Sequence, residues 1–347
     1  MNAASEVVVV GGGIVGLSIA WRCAQRGLGV SVLDGGGDDG AWYAAAGMLA
    51  PAGESSFGQE ALTQLLVESA GRWPGFAAEL RRETGVEVGY DSAGTVIAAL
   101  TSDDLAVAQR LWAYRQGLGL SISPLGPSAL RDREPALSPR LRGGAHAPDD
   151  RQVDPRRVVA ALRVALGGAI LRRHVGTVPA DPARVVVVAA GIGTAGLTGL
   201  PVRPVKGLVL RLRGEPGLLR HVINGYVDGR HVYLVPRSDG EIVVGATQEE
   251  RADHTVTAGD VLGLLRAATD LVPEVGELEL VETVVRHRPA TPDNAPLLGA
   301  HGGVVIAAGH HRNGVLLAPV TADLIADLVA TGKADPLLDA FAPGRFG

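Results

Sequence analysis

The chain of 347 residues contains one cysteine, Cys23. Neither an intrachain disulfide nor a cysteine metal cluster can therefore form. No apolar run approaches the roughly 20 residues that a membrane span requires. No block of basic residues appears and the net charge is −5, which argues against a nucleic-acid partner. Repeats with a period of about 20–50 residues are absent, as are low-complexity tracts. His310-His311, His221 and His231 lack a metal-ligand spacing, so no metal is expected. The chain enters an apolar segment almost at once, leaving no room for a signal peptide, and a cytoplasmic protein is the expectation. What is present is a hydrophobic content of 46% against 20% charged residues. That suits one large globular unit or two interleaved domains.

The N-terminus carries the most informative stretch. Val7-Val8-Val9-Val10 reads as a strand buried on both faces. Gly11, Gly13 and Gly16 then match G-x-G-x-x-G. Ile14 to Arg26 has helical spacing, Gly29 to Leu33 reads as a second strand, and Asp34 ends it. This is the order of a dinucleotide-binding βαβ unit. Gly11 allows a sharp turn, Gly13 lets a pyrophosphate approach the backbone, and Gly16 lets the helix pack on the strand. Ile14 and Val15 open the helix, whose N-terminal N–H groups favour phosphate. Asp34 is suited to accept hydrogen bonds from ribose hydroxyls.

Further along, Ala41 to Pro51 is rich in small residues. It reads either as backbone lying against something flat or as an ordinary alanine-rich turn. Gln59 to Thr84 is helical, with Pro74 expected to divide it into two helices. Ser102 to Gly117 reads as a helix capped by Ser102, and Asp154-Pro155 opens another. Val185 to Val188 is a buried strand returning to the first sheet. Gly191, Gly193 and Gly196 repeat the glycine spacing. Pro201 and Pro204 leave no room for a full helix there, so the turn at Gly191 is expected to pass near the first cofactor. Four strands between Lys206 and Gly245 alternate apolar and polar residues, as a half-exposed antiparallel sheet does. The fold class expected is α/β: a Rossmann-like nucleotide-binding domain (1–85, 145–200 and 289–347) interleaved with an α+β domain (86–144 and 201–288).

Four segments give the chain a family resemblance: the glycine turn with Asp34, Ala44-Ala45-Ala46-Gly47-Met48-Leu49, Val232-Tyr233-Leu234-Val235-Pro236-Arg237, and a C-terminal pair. The pair is Arg286-His287-Arg288-Pro289 and Gly309-His310-His311-Arg312-Asn313-Gly314-Val315-Leu316. Together they resemble the D-amino acid oxidase family of FAD-dependent amine oxidases, and within it the glycine-oxidising branch. The resemblance implies noncovalent FAD, because the covalent members use a C-terminal cysteine and Cys23 lies in the first helix. It places Arg288 on the substrate carboxylate, where a guanidinium offers two parallel N–H groups; on its own this residue would read as a strand-end arginine. Tyr233 matches the tyrosine that shares the carboxylate, or else is a cross-strand packing residue. His231 falls on the same strand face, Met48 and Glu54 match positions near the substrate, and Arg312 lies close to flavin and substrate. Gln248 replaces a pocket methionine of the branch. Ala46, Gly47 and Met48 would lie against the flavin ring, His310 to Leu316 along its pyrimidine edge, and Val175 against the adenine.

The implied activity is oxidation of glycine, with sarcosine and small D-amino acids as secondary substrates and oxygen as acceptor. The products would be glyoxylate, ammonia and hydrogen peroxide, with the imine feeding thiamine thiazole synthesis. A dehydrogenase using another electron carrier, or a flavin-binding subunit without turnover, are the alternatives. The partners implied are a small amino acid and oxygen, with neither nucleic acid nor membrane, and the family's frequent homotetramer.

Overall fold

The computed structural model describes residues 6–37, 39–180 and 184–347. In chain order the elements are β1 (Val7–Val10), α1 (Ile14–Gln25), β2 (Val30–Asp34), β3 (Met48–Leu49), α2 (Pro51–Glu54), α3 (Glu60–Thr84), β4 (Thr95–Ala99) and α4 (Ser102–Gly117). There follow β5 (Ser123–Leu125), α5 (Pro127–Arg133), β6 (Gly143–Ala147), β7 (Arg151–Gln152), α6 (Pro155–Leu166), β8 (Ile170–Arg172), β9 (Val185–Val188) and α7 (Thr194–Thr198). The last third holds β10 (Arg203–Arg213), β11 (Val222–Val227), β12 (Arg230–Pro236), β13 (Glu241–Gly245), α8 (Ala258–Leu271), β14 (Glu279–Ala290), β15 (Leu297–His301), β16 (Val304–Ala308) and α9 (Ala318–Thr331).

A six-stranded sheet has the order β15-β16-β9-β1-β2-β8. β1 lies inside it, parallel to β2 and β9, with Val7 beside Val30 and Val185. Its four valines are buried because both faces are covered. Val7 and Val9 join a core with α1, α3, α6 and α9. Val8 and Val10 join a smaller one with Val186, Val188 and Ile306. An eight-stranded sheet has the order β14-β10-β13-β12-β11-β4-β6-β5. It is antiparallel except where β11 runs parallel to β4. Each sheet draws on separated stretches of chain, and the architecture is the expected α/β one.

Several local expectations change. α3 runs unbroken through Pro74. Trp73, Phe76 and Leu80 are buried. Ser69 Oγ and Trp73 Nε1 both donate to Leu316 O, at 2.6 and 3.0 Å. Packing and these bonds outweigh the one backbone bond that proline removes. α4 is capped by Thr101 rather than Ser102, through a box with Asp104. β10 is buried on both faces rather than half-exposed. Leu208, Leu210 and Leu212 pack in one core, while Val209 meets Ala44 and Ala46 on the other side. Arg211 stays buried there because Glu241 and Glu282 neutralise it. The second glycine spacing leads only into the short α7.

Candidate active site

Three glycines of the N-terminal turn, Gly11, Gly12 and Gly16, each answer to a different neighbour. Gly11 has φ +120°, and a Cβ there would lie 2.3 Å from Ala189 O. At Gly16 a Cβ would lie 2.0 Å from Gly11 O, and at Gly12 2.2 Å from the Asp34 carboxyl carbon. Gly13 differs: the nearest atom to its Cβ position is Trp42 Cδ1 at 3.7 Å. Gly13 is also the N-cap of α1. It offers no capping side chain, so the first N–H groups of Ile14, Val15 and Gly16 are left for an anion. Asp34 closes β2, with Oδ1 accepting from Gly36 N at 3.0 Å and Oδ2 3.7 Å from Arg163. Gly191 begins the turn after β9 with φ +56°. Val175 lies beyond β8 and packs on the smaller core of the six-stranded sheet.

The segment Gly309–Leu317 links β16 to α9. At Gly309, φ is +70° and a Cβ would lie 2.5 Å from Thr291 Cγ2. His311 takes φ +48° and donates its N–H to Pro289 O at 2.8 Å. Its ring is pushed down to about 4, by burial first and then by the positive Arg288, Arg312 and Arg203. His310 is buried against Thr321 at 3.1 Å and burial likewise pushes it down to about 4. His311 Nε2 and Asn313 Oδ1 are buried polar atoms with no hydrogen-bond partner among the described residues. Val315 and Leu316 are core residues.

The eight-stranded sheet supplies the other wall. Tyr233 on β12 pairs across to Asn224 and Gly245. A Cβ at Gly245 would lie 2.3 Å from the Tyr233 hydroxyl. A Cβ at Gly207 on β10 would lie 2.4 Å from Arg288 Nη1 on β14. Two glycines on neighbouring strands thus make room for the phenol and the guanidinium. Arg288 donates to Thr247 O at 3.1 Å and meets the Tyr233 side chain. Burial lowers the Arg288 pKa and raises that of Tyr233, so the phenol stays neutral. Met48 packs in the same cluster as Tyr233. His231 Nε2 contacts Asn224 Oδ1. Its pKa is lowered by the surrounding protein first and then by Arg312, even though the residue as a whole is exposed.

Glu54, at the end of α2, pairs with Arg312 Nε. The Arg312 side chain is 40% accessible against 12% for Glu54, so the arginine is partly exposed while its counter-ion is largely buried. Glu54 is the first cause of the raised Arg312 pKa. α2 is gripped from behind: Arg115 donates to Gly53 O at 2.8 Å and Ser55 O at 3.0 Å, and Asp150 accepts from Ala52 N at 3.2 Å. Arg237 Nη2 donates to Ala46 O, and its Nη1 to Gln152 at 2.8 Å and Val153 O at 3.0 Å. Gly47 has φ +81°, and its Cβ would lie 2.0 Å from Val153 O. The alanine-rich segment is therefore a tied wall between the two sheets, and Gln248 is exposed.

Comparison with known proteins bears on the family rather than on individual residues. The family model for FAD-dependent oxidoreductases matches residues 6–328. The chain belongs to that family. Glycine oxidase from Geobacillus kaustophilus is 34% identical over 358 residues, covering 93% of this chain and 92% of that one. A crystal structure of glycine oxidase from Geobacillus kaustophilus superimposes with a TM-score of 0.89, at 32% identity, over 98% of each chain. The bifunctional protein ThiO/ThiG of Synechocystis is 35% identical over 375 residues, covering 100% of this chain but 55% of that protein. The chain thus spans about half the length of such relatives. Iminodiacetate oxidase from Chelativorans superimposes with a TM-score of 0.86 at 26% identity, over 97% of this chain and 98% of that one.

The residues present fit FAD. The open side of Gly13, the uncapped start of α1 and the acid at Asp34 suit its ADP half. The unpartnered His311 and Asn313 atoms suit polar groups of the other half. Motif reading had no means of finding Gly12, Asn224, Gly207, Gly245, Arg115 or Asp150, since each acts across strands or elements. Arg237 stood inside a quoted segment, and its role emerges only from its bonds to the alanine-rich wall.

Proposed function

We propose that this chain is a glycine oxidase, converting glycine, oxygen and water to glyoxylate, ammonia and hydrogen peroxide. Sarcosine and small D-amino acids are secondary substrates, and the imine serves thiamine thiazole synthesis. The observation that carries the reading is the Arg288–Tyr233 pair beside Arg312, in a cleft between the nucleotide cradle and the second sheet. The glycine oxidase relatives support it. Arg288 holds the substrate carboxylate through parallel N–H groups. The neutral Tyr233 hydroxyl donates to the same carboxylate. Met48 and His231 bound the remaining space, and Arg237 holds the Ala46–Met48 backbone where it would support the flavin. FAD, when bound, would supply the hydride-accepting chemistry that the side chains lack. The side chains therefore orient the substrate rather than react with it.

In this reading residues 1–85, 145–200 and 289–347 bind FAD, and 86–144 with 201–288 bind substrate. FAD is noncovalent with respect to cysteine, since Cys23 is buried in α1. The protein is cytoplasmic, and no described helix is long and apolar enough to cross a membrane. It assembles as a homotetramer. Anaerobic mixing of the yellow protein with glycine, sarcosine, D-alanine and iminodiacetate tests the assignment. Fastest bleaching by glycine, followed by stoichiometric peroxide in air, is expected. Bleaching without peroxide would instead support a dehydrogenase, and no bleaching by any amine would overturn the reading.

A further inference from the structure

The cleft carries a countable set of charges. Arg288 from β14 and Arg312 from the β16–α9 link are positive. Tyr233 and His231 are neutral, for the reasons given above, and burial with nearby guanidiniums keeps His311 neutral as well. Among the described residues, the acid that pairs with one of these two guanidiniums is Glu54, which contacts Arg312. Behind α2, Arg115 donates to Gly53 O and acts, as Glu54 does, on the charge of Asp150. Once Asp150 ionises, Arg115 and Asp150 offset one another. Arg203 near His311 is paired with Glu250, and Arg211 near Tyr233 with Glu241, so the wall facing the substrate is left with two cations and one anion, the complement of a single carboxylate.

We propose that Glu54 is a specificity-determining residue: by neutralising Arg312 it restricts the site to substrates with one carboxylate. This rests on the reading of Arg288 as the carboxylate anchor. A ligand bearing a second carboxylate would have to compete with Glu54 for Arg312 and would leave two anions sharing one guanidinium. Removing the Glu54 charge leaves Arg312 accessible in the cleft with no ion-pair partner there, the situation in which a second carboxylate is held strongly. Glu54→Gln keeps the shape of the side chain and removes only the charge.

The test uses the FAD-loaded protein at pH 8, where Asp150 is mostly ionised, and reads binding rather than turnover. Glycolate is a one-carboxylate probe. Diglycolate has two carboxylates and no oxidisable amine. Each is titrated while the flavin absorbance is followed. The unaltered protein is expected to bind glycolate at least as tightly as diglycolate. Glu54→Gln should move the ratio of the two dissociation constants at least tenfold toward diglycolate, and Glu54→Asp should keep the original preference within threefold. A ratio that stays within threefold in Glu54→Gln overturns the proposal. So does a parallel loss of both affinities, which would make Glu54 a support for α2 alone. Glycine reduction of the same preparations is scored separately. If glycine fails to bleach the flavin while the ratio still shifts, the glycine assignment falls and the charge assignment stands.

Discussion

Replacing Arg288 by methionine isolates the contact on which the site depends. In the structure this guanidinium has one backbone partner, Thr247 O at 3.1 Å, and one side-chain partner, Tyr233. Among the described residues its remaining N–H groups have no further partner, which leaves them to take a carboxylate. Truncating one side of a buried, hydrogen-bonded charge pair costs about 2–5 kcal/mol of binding. At about 1.4 kcal/mol per factor of ten, that is roughly a 30- to 4,000-fold weaker glycine complex. Methionine keeps most of the stem volume, so the fold should survive with the loss of the Thr247 bond, about 1 kcal/mol. The assay is anaerobic flavin reduction across glycine concentrations, with flavin content measured to verify that the cradle is intact. The half-saturating glycine concentration should rise by that factor. A companion variant, Gly207→Ala, places a methyl 2.4 Å from Arg288 Nη1 and should raise it in the same direction by displacing the guanidinium. Unchanged glycine dependence in Arg288→Met, with full flavin content, would refute the anchoring role.

Gly12→Ala puts a methyl 2.2 Å from the Asp34 carboxyl carbon. It should yield protein that loses flavin on gel filtration, read from the 450 to 280 nm absorbance ratio. Asp154→Ala removes the cap that accepts from Arg156 N and Arg157 N at 2.9 and 3.3 Å, and should lower unfolding free energy by about 1 kcal/mol in denaturant titration. Burial pushes Asp150 up to about 7 from 3.8, a rise that desolvation dominates over Arg115. A carboxyl whose folded pKa is raised contributes stability below pH 3.8 that is lost as pH climbs through 7. Asp150→Asn should therefore gain on the unaltered protein between pH 4 and 8 in urea melts, and a flat difference would remove that linkage.

The N-terminal half of the cradle was legible because its information is local. Four valines, a glycine spacing and an acid all lie within one βαβ unit, and the strand, helix and turn each follow from short-range sterics. Asp154-Pro155 was legible for the same reason. Pro74 misled because its cost is local while the compensation comes from Leu316 and α9, far away in sequence. The alternation in β10 misled because Arg211 reads as a solvent-facing residue until Glu241 and Glu282 are seen beside it. On the substrate side, Arg288 and Tyr233 were reachable only through family resemblance. What makes them a site is the missing Cβ at Gly207 and Gly245 on adjacent strands, and cross-strand register is not written in either segment alone. The Glu54–Arg312 pair joins positions at opposite ends of the chain, which spacing cannot reveal.

The order of strands in the six-stranded sheet has a consequence for synthesis on the ribosome. β1 is made first and β9 much later, and β9 gains its other neighbour only when β16 appears. Until then one edge of the sheet is an unpaired row of peptide groups, open to association with other nascent chains. Arg288 and Arg312 emerge in the same late stretch. A chain that stalls before it therefore lacks both guanidiniums of the proposed pocket. Premature fragments would be aggregation-prone and catalytically silent, so the proposed activity would arrive only with a chain that can complete its own sheet.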